Sequence, residues 1–126
     1  MTTISILFDK TKPEGQQFSF ATTGGSNANN VKLGASGTIN WTINSNSVPS
    51  NVTFSVSPSK PGIVFGTTGS RPAKWPNKQP AGDTTKWSVN DDVTPYNKGT
   101  FAYTVNLVTP GKTVYSTDPD VTNSPP

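Results

Sequence analysis

The sequence contains no cysteine and no histidine among its 126 residues. Without cysteine the chain can form no disulfide, no thiolate metal site and no cysteine nucleophile. Without histidine it lacks the commonest general base and the commonest transition-metal ligand. We therefore expect a protein that is not an enzyme and that needs no cofactor.

Charged residues are also scarce, because Asp, Glu, Lys and Arg together make up 13% of the chain and the formal net charge is +3. The ten cations are scattered singly, and Arg71 is the only arginine. A nucleic-acid surface needs clustered basic residues, so we expect no nucleic-acid partner. No stretch is long and apolar enough to predict a membrane span.

The first residues, Met1 to Ile4, lack both the basic and the apolar region of a signal peptide. This start predicts a cytoplasmic chain, or a mature form in which an initiator methionine replaces the signal. The high content of Asn, Ser and Thr favours an exported protein. A chain without disulfides fits either compartment, so the localisation stays open.

Turn and strand formers dominate what is present, with twelve prolines and eleven glycines beside many Thr, Ser and Asn residues. No segment carries the apolar i, i+3, i+4, i+7 stripe of an amphipathic helix. Short apolar clusters separated by Gly and Pro instead predict an all-β protein. The length fits a single domain over residues 1–126, with residues 124–126 frayed.

Period-two alternation predicts about seven to nine strands, arranged as a two-sheet Greek-key β-sandwich. In the strand from Gly37 the alternation points Trp41 inward, and a second strong strand covers Gly99 to Val108. The turn after this second strand predicts a β-hairpin. The polar turn after the Trp41 strand permits either a hairpin or a crossing between sheets. Weaker strands are predicted at Thr3–Phe8, Phe18–Phe20, Val31–Leu33, Val52–Val56, Gly62–Gly66, Lys86–Val89 and Val121.

Two segments resemble cupredoxins. Gly37 to Val56, GTINWTINSNSVPSNVTFSV, is similar to a Gly-x-x-x-Trp strand that runs through a polar turn into Val-Pro-His-Asn-Val. Gly99 to Pro119, GTFAYTVNLVTPGKTVYSTDP, resembles the Phe-x-Tyr-x-Val strand and Pro-Gly turn that lead to Tyr-x-Cys. Together they cover under half of the chain. The resemblance implies a cupredoxin-like sandwich, and an immunoglobulin-like one is the alternative.

The resemblance does not extend to the copper ligands. Ser50 stands where the family has its first histidine ligand, and neither Cys nor His follows Tyr115. A blue-copper site needs thiolate and imidazole, so the resemblance implies a scaffold without copper. The ending Asp118-Pro119-Asp120-Val121-x-Asn123 also looks like the end of small bacterial β-sandwich proteins of unassigned function.

Three aromatic residues, Trp75, Trp87 and Tyr96, are the candidate ligand-binding residues, because they lie in or beside an irregular, proline-rich stretch. A long irregular segment in a small domain is often functional. Exposed rings on loops could stack on sugars or anchor a protein partner. The alternative is that the tryptophans fold back as lids on the ends of the sandwich, because large aromatic side chains are usually substantially buried.

Carboxylates form the other candidate sites. Asp118 and Asp120 are weak Ca²⁺ candidates, with turn hydrogen bonding as the alternative role. A hydrolase would need two carboxylates, such as Asp91 and Asp118, about 5–10 Å apart across a pocket. Glu14 is the only glutamate, and its Pro/Gly turn predicts exposure.

These observations favour a non-enzymatic binding or structural module whose ligand, a glycan or a protein, the residues do not name. Sandwich edges could also pair with a second copy of the chain, which would make the protein a self-assembling homo-oligomer. An aspartate-based hydrolase is the least favoured hypothesis.

Overall fold

The computed structural model describes residues 2–22, 30–65, 84–91, 93 and 98–124. These residues form no helix, and therefore no helix that could cross a membrane. The all-β prediction is confirmed. The described residues form twelve strands: β1 Thr2–Phe8, β2 Phe18–Thr22, β3 Asn30–Leu33, β4 Gly37–Ile43, β5 Thr53–Phe54, β6 Val56–Ser57, β7 Lys60–Pro61, β8 Ile63–Phe65, β9 Lys86–Asp91, β10 Gly99–Val108, β11 Val114–Thr117 and β12 Asp120–Asn123.

Two main mixed sheets and a small hairpin contain these strands. The first sheet has the order β2-β1-β4-β9, and the second has the order β11-β10-β12-β3. Strands β5 and β8 join the second sheet by pairing with β10, while β6 and β7 form the hairpin. Each sheet contains one parallel pair, β1 with β4 and β3 with β12. The count of seven to nine strands was too low, because the predicted strand Val52–Val56 divides into β5 and β6 and the two-residue strand β7 was not predicted.

The turn after β4 is a crossing between the two sheets, because β4 lies in the first sheet and β5 pairs with β10 of the second. The peptide bond Val48–Pro49 is cis. The backbone N–H of Val48 donates to the carbonyl of Phe8 at 2.7 Å, and the N–H of Lys10 donates to the carbonyl of Val48 at 2.8 Å. These bonds fix the start of the crossing to the end of β1.

The hydrophobic core lies between the sheets, and Trp41 and Tyr103 connect them at its centre. The side chain of Trp41 is fully buried, as the alternation in β4 predicted. Its Nε1 donates to the Tyr103 hydroxyl at 3.0 Å, and the two rings meet at a centroid distance of 5.3 Å. Burial raises the pKa of the Tyr103 hydroxyl, and the hydrogen bond from Trp41 opposes that rise without cancelling it. The phenol is therefore neutral throughout the physiological range.

One buried amide ties β10 to its neighbours on both sides. The Asn106 side chain donates through Nδ2 to the Pro61 carbonyl at 2.7 Å, and its Oδ1 accepts from the Ser116 hydroxyl at 2.5 Å. Asn106 is 4% exposed. Both polar ends of the amide are thus satisfied away from bulk water, as a buried polar group requires.

Replacing Asn106 by leucine, which has a similar volume, should lower the free energy of unfolding by about 1–3 kcal/mol, because the Pro61 carbonyl and Ser116 hydroxyl lose their partner. Urea unfolding followed by tryptophan fluorescence measures the change. Asn46→Ala is the matched control, because this exposed side chain lies in a turn and should shift stability by less than about 0.5 kcal/mol. Equal stability of the two variants would contradict the role of the buried amide.

Candidate functional site

An open cleft of about 580 Å³ lies where edge strand β2 of the first sheet approaches edge strand β11 of the second. We call it the β2–β11 cleft. Its lining comes from the turn before β2, from β2, from the first residue of β3, and from β11 with the residues that follow it. The lining residues are Glu14, Gly15, Gln17, Phe18, Phe20, Asn30 and every residue from Val114 to Asp120.

Aromatic rings form the apolar part of the cleft. Phe18 and Phe20 project from the same face of β2, and their rings stack with an interplanar angle of 9° at a centroid distance of 6.4 Å. Tyr115 contributes a third ring from β11. Beneath them the fully buried Phe8 contacts Phe18 at 5.1 Å and Tyr115 at 4.8 Å between ring centroids. Phe18 and Tyr115 are both half-buried. One part of each side chain thus packs against the core, and the other part remains accessible.

Carboxylates form the polar part of the cleft. Glu14 and Asp118 are exposed, and Asp120 is half-buried. Asp118 accepts a hydrogen bond from the Thr104 hydroxyl at 2.6 Å, and Asp120 accepts one from the Asn30 amide. Both donors are neutral, and no Lys or Arg is found among the described residues that line the cleft. The cleft is therefore locally negative although the chain carries a net positive charge.

The carboxylates do not form a metal cluster in the described part of the chain, where no three His, Cys, Asp or Glu side chains lie close enough to share an ion. Asp118 and Asp120 supply only two carboxylates to the cleft beside Glu14. Ca²⁺ takes six to eight oxygen ligands. The arrangement thus offers separate negative groups to a ligand, and calcium binding by Asp118 and Asp120 stays a prediction.

Ser50, at the position of the missing histidine ligand, is exposed in the segment that crosses from β4 to β5. It lines a second, smaller cleft of about 320 Å³ with Ser47, Asn51 and Thr85, among others. Asp118 and Asp120 belong to the β2–β11 cleft instead. The structure therefore does not bring the degenerate ligand position and the aspartates into one site.

Of the three candidate aromatic residues, the structure describes only Trp87. Its side chain is 1% exposed, lies opposite Trp41 in the β4–β9 pair, and packs on Phe54 at a centroid distance of 5.8 Å. Its Nε1 has no hydrogen-bond partner among the described residues. Trp87 is a core residue and offers no exposed face for stacking. Trp75 and Tyr96 lie outside the described residues.

Asp91 belongs to β9, at the opposite edge of the first sheet from β2. The side chain of Asp91 lies outside the described part of the structure. Among the described residues, the carboxylates that line this cleft are Glu14, Asp118 and Asp120. Asp118 and Asp120 were candidates from the sequence, whereas no sequence pattern indicated a role for Glu14 or for the rings of β2.

No protein-family model matches this chain, and no curated protein matches it. The resemblance to cupredoxins therefore lies in the two sequence segments. Over the described residues, the structure establishes an all-β protein with two main sheets that are not closed into a barrel.

Proposed function

We propose that this protein is a non-enzymatic binding module and that the β2–β11 cleft is its ligand site. The observation that carries the proposal is the combination, in one cleft of about 580 Å³, of accessible aromatic rings and carboxylates. Ligand sites in proteins are typically concave, with apolar walls and a few polar groups that orient the ligand. Rings stack on a sugar or on an apolar side chain, and carboxylates accept hydrogen bonds from hydroxyl or amino groups. A glycan or a peptide would fit these groups.

We further propose that the scaffold is a Greek-key sandwich of cupredoxin-like topology without copper, with an immunoglobulin-like sandwich as the alternative. Support comes from the chain path, because the segment Gly37 to Val56 begins in the first sheet and continues into the second. The other cupredoxin-like segment supplies β10, the strand with which most of the second sheet pairs. The serine hydroxyl of Ser50 is a poor substitute for an imidazole ligand.

An NMR titration tests the binding proposal. Panels of oligosaccharides and of short peptides are added to the ¹⁵N-labelled protein, and we expect ligand-dependent shifts at residues 14–20 and 114–120. Glu14→Gln and Asp118→Asn should each weaken binding by roughly two- to fivefold, because each removes one partly solvated charge. Asp9→Asn is the matched control, since Asp9 is a carboxylate outside the cleft lining. Shifts confined to other surfaces, or no binding by either panel, would contradict the proposal.

A hydrolase is the second candidate function, because Glu14, Asp118 and Asp120 line the same cleft. A paired-carboxylate mechanism needs its two groups about 5–10 Å apart on either side of the scissile bond. Turnover of a bound oligosaccharide, lost in Asp118→Asn and kept in Asp9→Asn, would favour this candidate over a binding module.

A further inference from the structure

We infer that the β2–β11 cleft binds a peptide in extended conformation, which adds as a strand to the outer edge of β11 and places a Lys or Arg side chain among the cleft carboxylates. This inference rests on the proposed binding function and names the class of ligand. Three features of the structure support it: the edge that β11 presents, the direction of its backbone groups, and the charge of the cleft.

Strand β11 presents an edge to the cleft. All four of its residues, Val114 to Thr117, line the cleft without interruption. A strand that presented one face would contribute alternate residues, as β2 does with Phe18 and Phe20. The pairing agrees, because β11 pairs with β10 alone among the described strands. Strand β12 follows β11 along the same side of β10. In the described part of the chain no strand pairs with the side of β11 that faces away from β10, which leaves that side available to a further strand.

The register of β10 and β11 shows which backbone groups point outward. Asn106 lies opposite Ser116. Its own N–H donates to the Gly62 carbonyl at 2.8 Å, and its carbonyl accepts from the Ser55 N–H at 2.9 Å, both on the far side of β10. Asn106 and Ser116 are thus a non-hydrogen-bonded pair. In an antiparallel ladder the two residues of such a pair direct their N–H and carbonyl groups away from each other.

Ser116 therefore directs its N–H and carbonyl toward the cleft, and Val114, two residues earlier, does the same. Tyr115 and Thr117 direct theirs to Leu107 and Val105 of β10. Two outward residues at this spacing are what a further antiparallel or parallel strand needs in order to continue the sheet. Main-chain hydrogen bonding of this kind is a recurrent way in which sheets capture extended peptides.

The side chains of the cleft then select the peptide sequence. A residue of the added strand that faces inward would lie beside Tyr115 and toward Phe18 and Phe20, which favours an apolar side chain. A basic side chain would meet Glu14 and Asp118, whose negative charge no cleft-lining Lys or Arg of the described residues offsets. The cleft thus fits a peptide that alternates apolar and basic residues.

Three fluorescein-labelled octapeptides test the inference: one alternates Val and Lys, one has Glu in place of Lys, and one has the Val–Lys sequence with alternate backbone amides N-methylated. We expect the Val–Lys peptide to bind. The Glu peptide and the N-methylated peptide should each bind at least about tenfold more weakly, because one meets like charge and the other cannot complete the ladder. Fluorescence anisotropy measures these affinities.

Amide hydrogen exchange locates the added strand. With the Val–Lys peptide bound, the amides of Val114 and Ser116 should gain protection, while those of Tyr115 and Thr117 should change little because they already bond to β10. Val114→Pro should weaken binding of the Val–Lys peptide by about three- to tenfold, because it removes one outward N–H. Proline is tolerated at the first residue of a strand, so the variant should fold. Val114→Ala is the control that keeps this N–H, and unfolding midpoints of both variants confirm that they fold.

The remaining outcomes distinguish a failure of this inference from a failure of the proposed function. Oligosaccharide binding with shifts in the cleft, but no binding of the Val–Lys peptide, would overturn the inference and leave the proposed function standing. Peptide binding that leaves the Val114 and Ser116 amides unprotected would overturn strand addition. Protection of these amides in the free protein, with a mass that rises with concentration in sedimentation, would assign the edge to a second copy of the chain and overturn the inference.

Discussion

Replacing Trp41 by alanine should lower the free energy of unfolding by about 3–5 kcal/mol. The indole is fully buried and contacts the rings of Tyr103 and Phe65 at centroid distances of 5.3 and 6.2 Å. Alanine leaves a cavity between the sheets and also leaves the buried Tyr103 hydroxyl without its indole donor. Small domains are stable by only about 5–15 kcal/mol, so this single change should remove a large share of the total. Urea unfolding followed by circular dichroism measures it.

A double-mutant cycle separates the hydrogen bond from the packing. Trp41→Phe and Tyr103→Phe each leave one buried polar group unpaired, whereas the double variant removes both groups together. We expect the double variant to be less destabilised than the sum of the single variants by about 1 kcal/mol. Strict additivity would show that the 3.0 Å contact between Trp41 Nε1 and the Tyr103 hydroxyl contributes no coupling.

Local alternation was sufficient to predict the strands that carry this pair. In β4 the residues Ile39, Trp41 and Ile43 are buried and their neighbours are not, which is the period-two pattern seen in the sequence. The hairpin of β10 and β11 was predicted for the same reason, because a Pro-Gly turn separates two apolar runs. Such features depend on residues adjacent in sequence, so no knowledge of tertiary structure was needed.

The crossing after β4 could not be predicted in this way. The polar turn was compatible with a hairpin as well as with a crossing, and the choice depends on contacts with β1. The hydrogen bonds that join Val48 to Phe8 and to Lys10 fix the direction of the chain there. Trp87 shows the same limit, because its burial depends on pairing with Trp41 across β4 and β9 rather than on its own neighbours.

The candidate site was predictable only in part. The sequence marked Asp118 and Asp120 as concentrated negative charge, and the cupredoxin-like segment included Tyr115. It gave no reason to place them beside Glu14 and Phe18, which lie near the other end of the chain. That meeting follows from the sheet order, which makes β2 and β11 the edges of their sheets. A sequence pattern predicts which face of a strand is buried, but it does not predict which strand edges of the two sheets lie next to each other.

Gly62→Ala should also destabilise the protein, by roughly 1–3 kcal/mol, although glycine-to-alanine changes at compatible sites usually stabilise. A Cβ at this buried position would lie 2.7 Å from Cβ of Phe54 and 3.0 Å from Cζ3 of Trp87. Both neighbours are themselves buried in the core. The backbone cannot move away freely, because the Gly62 carbonyl accepts the N–H of Asn106 at 2.8 Å. The expected penalty is therefore steric, and thermal and urea unfolding should both detect it.

Gly111→Ala provides the matched control for this change. A Cβ at Gly111 would meet no atom within 4 Å, so the variant should be neutral or more stable by about 0.4–1 kcal/mol through a less flexible unfolded chain. Both variants add one methyl group, but only Gly62→Ala is expected to lower the free energy of unfolding. If Gly62→Ala proved as stable as Gly111→Ala, the backbone at Gly62, just before β8, could not lie as close to Phe54 and Trp87 as the structure shows. Opposite signs would establish that the absence of a side chain at Gly62 is what lets Phe54 and Trp87 pack over it.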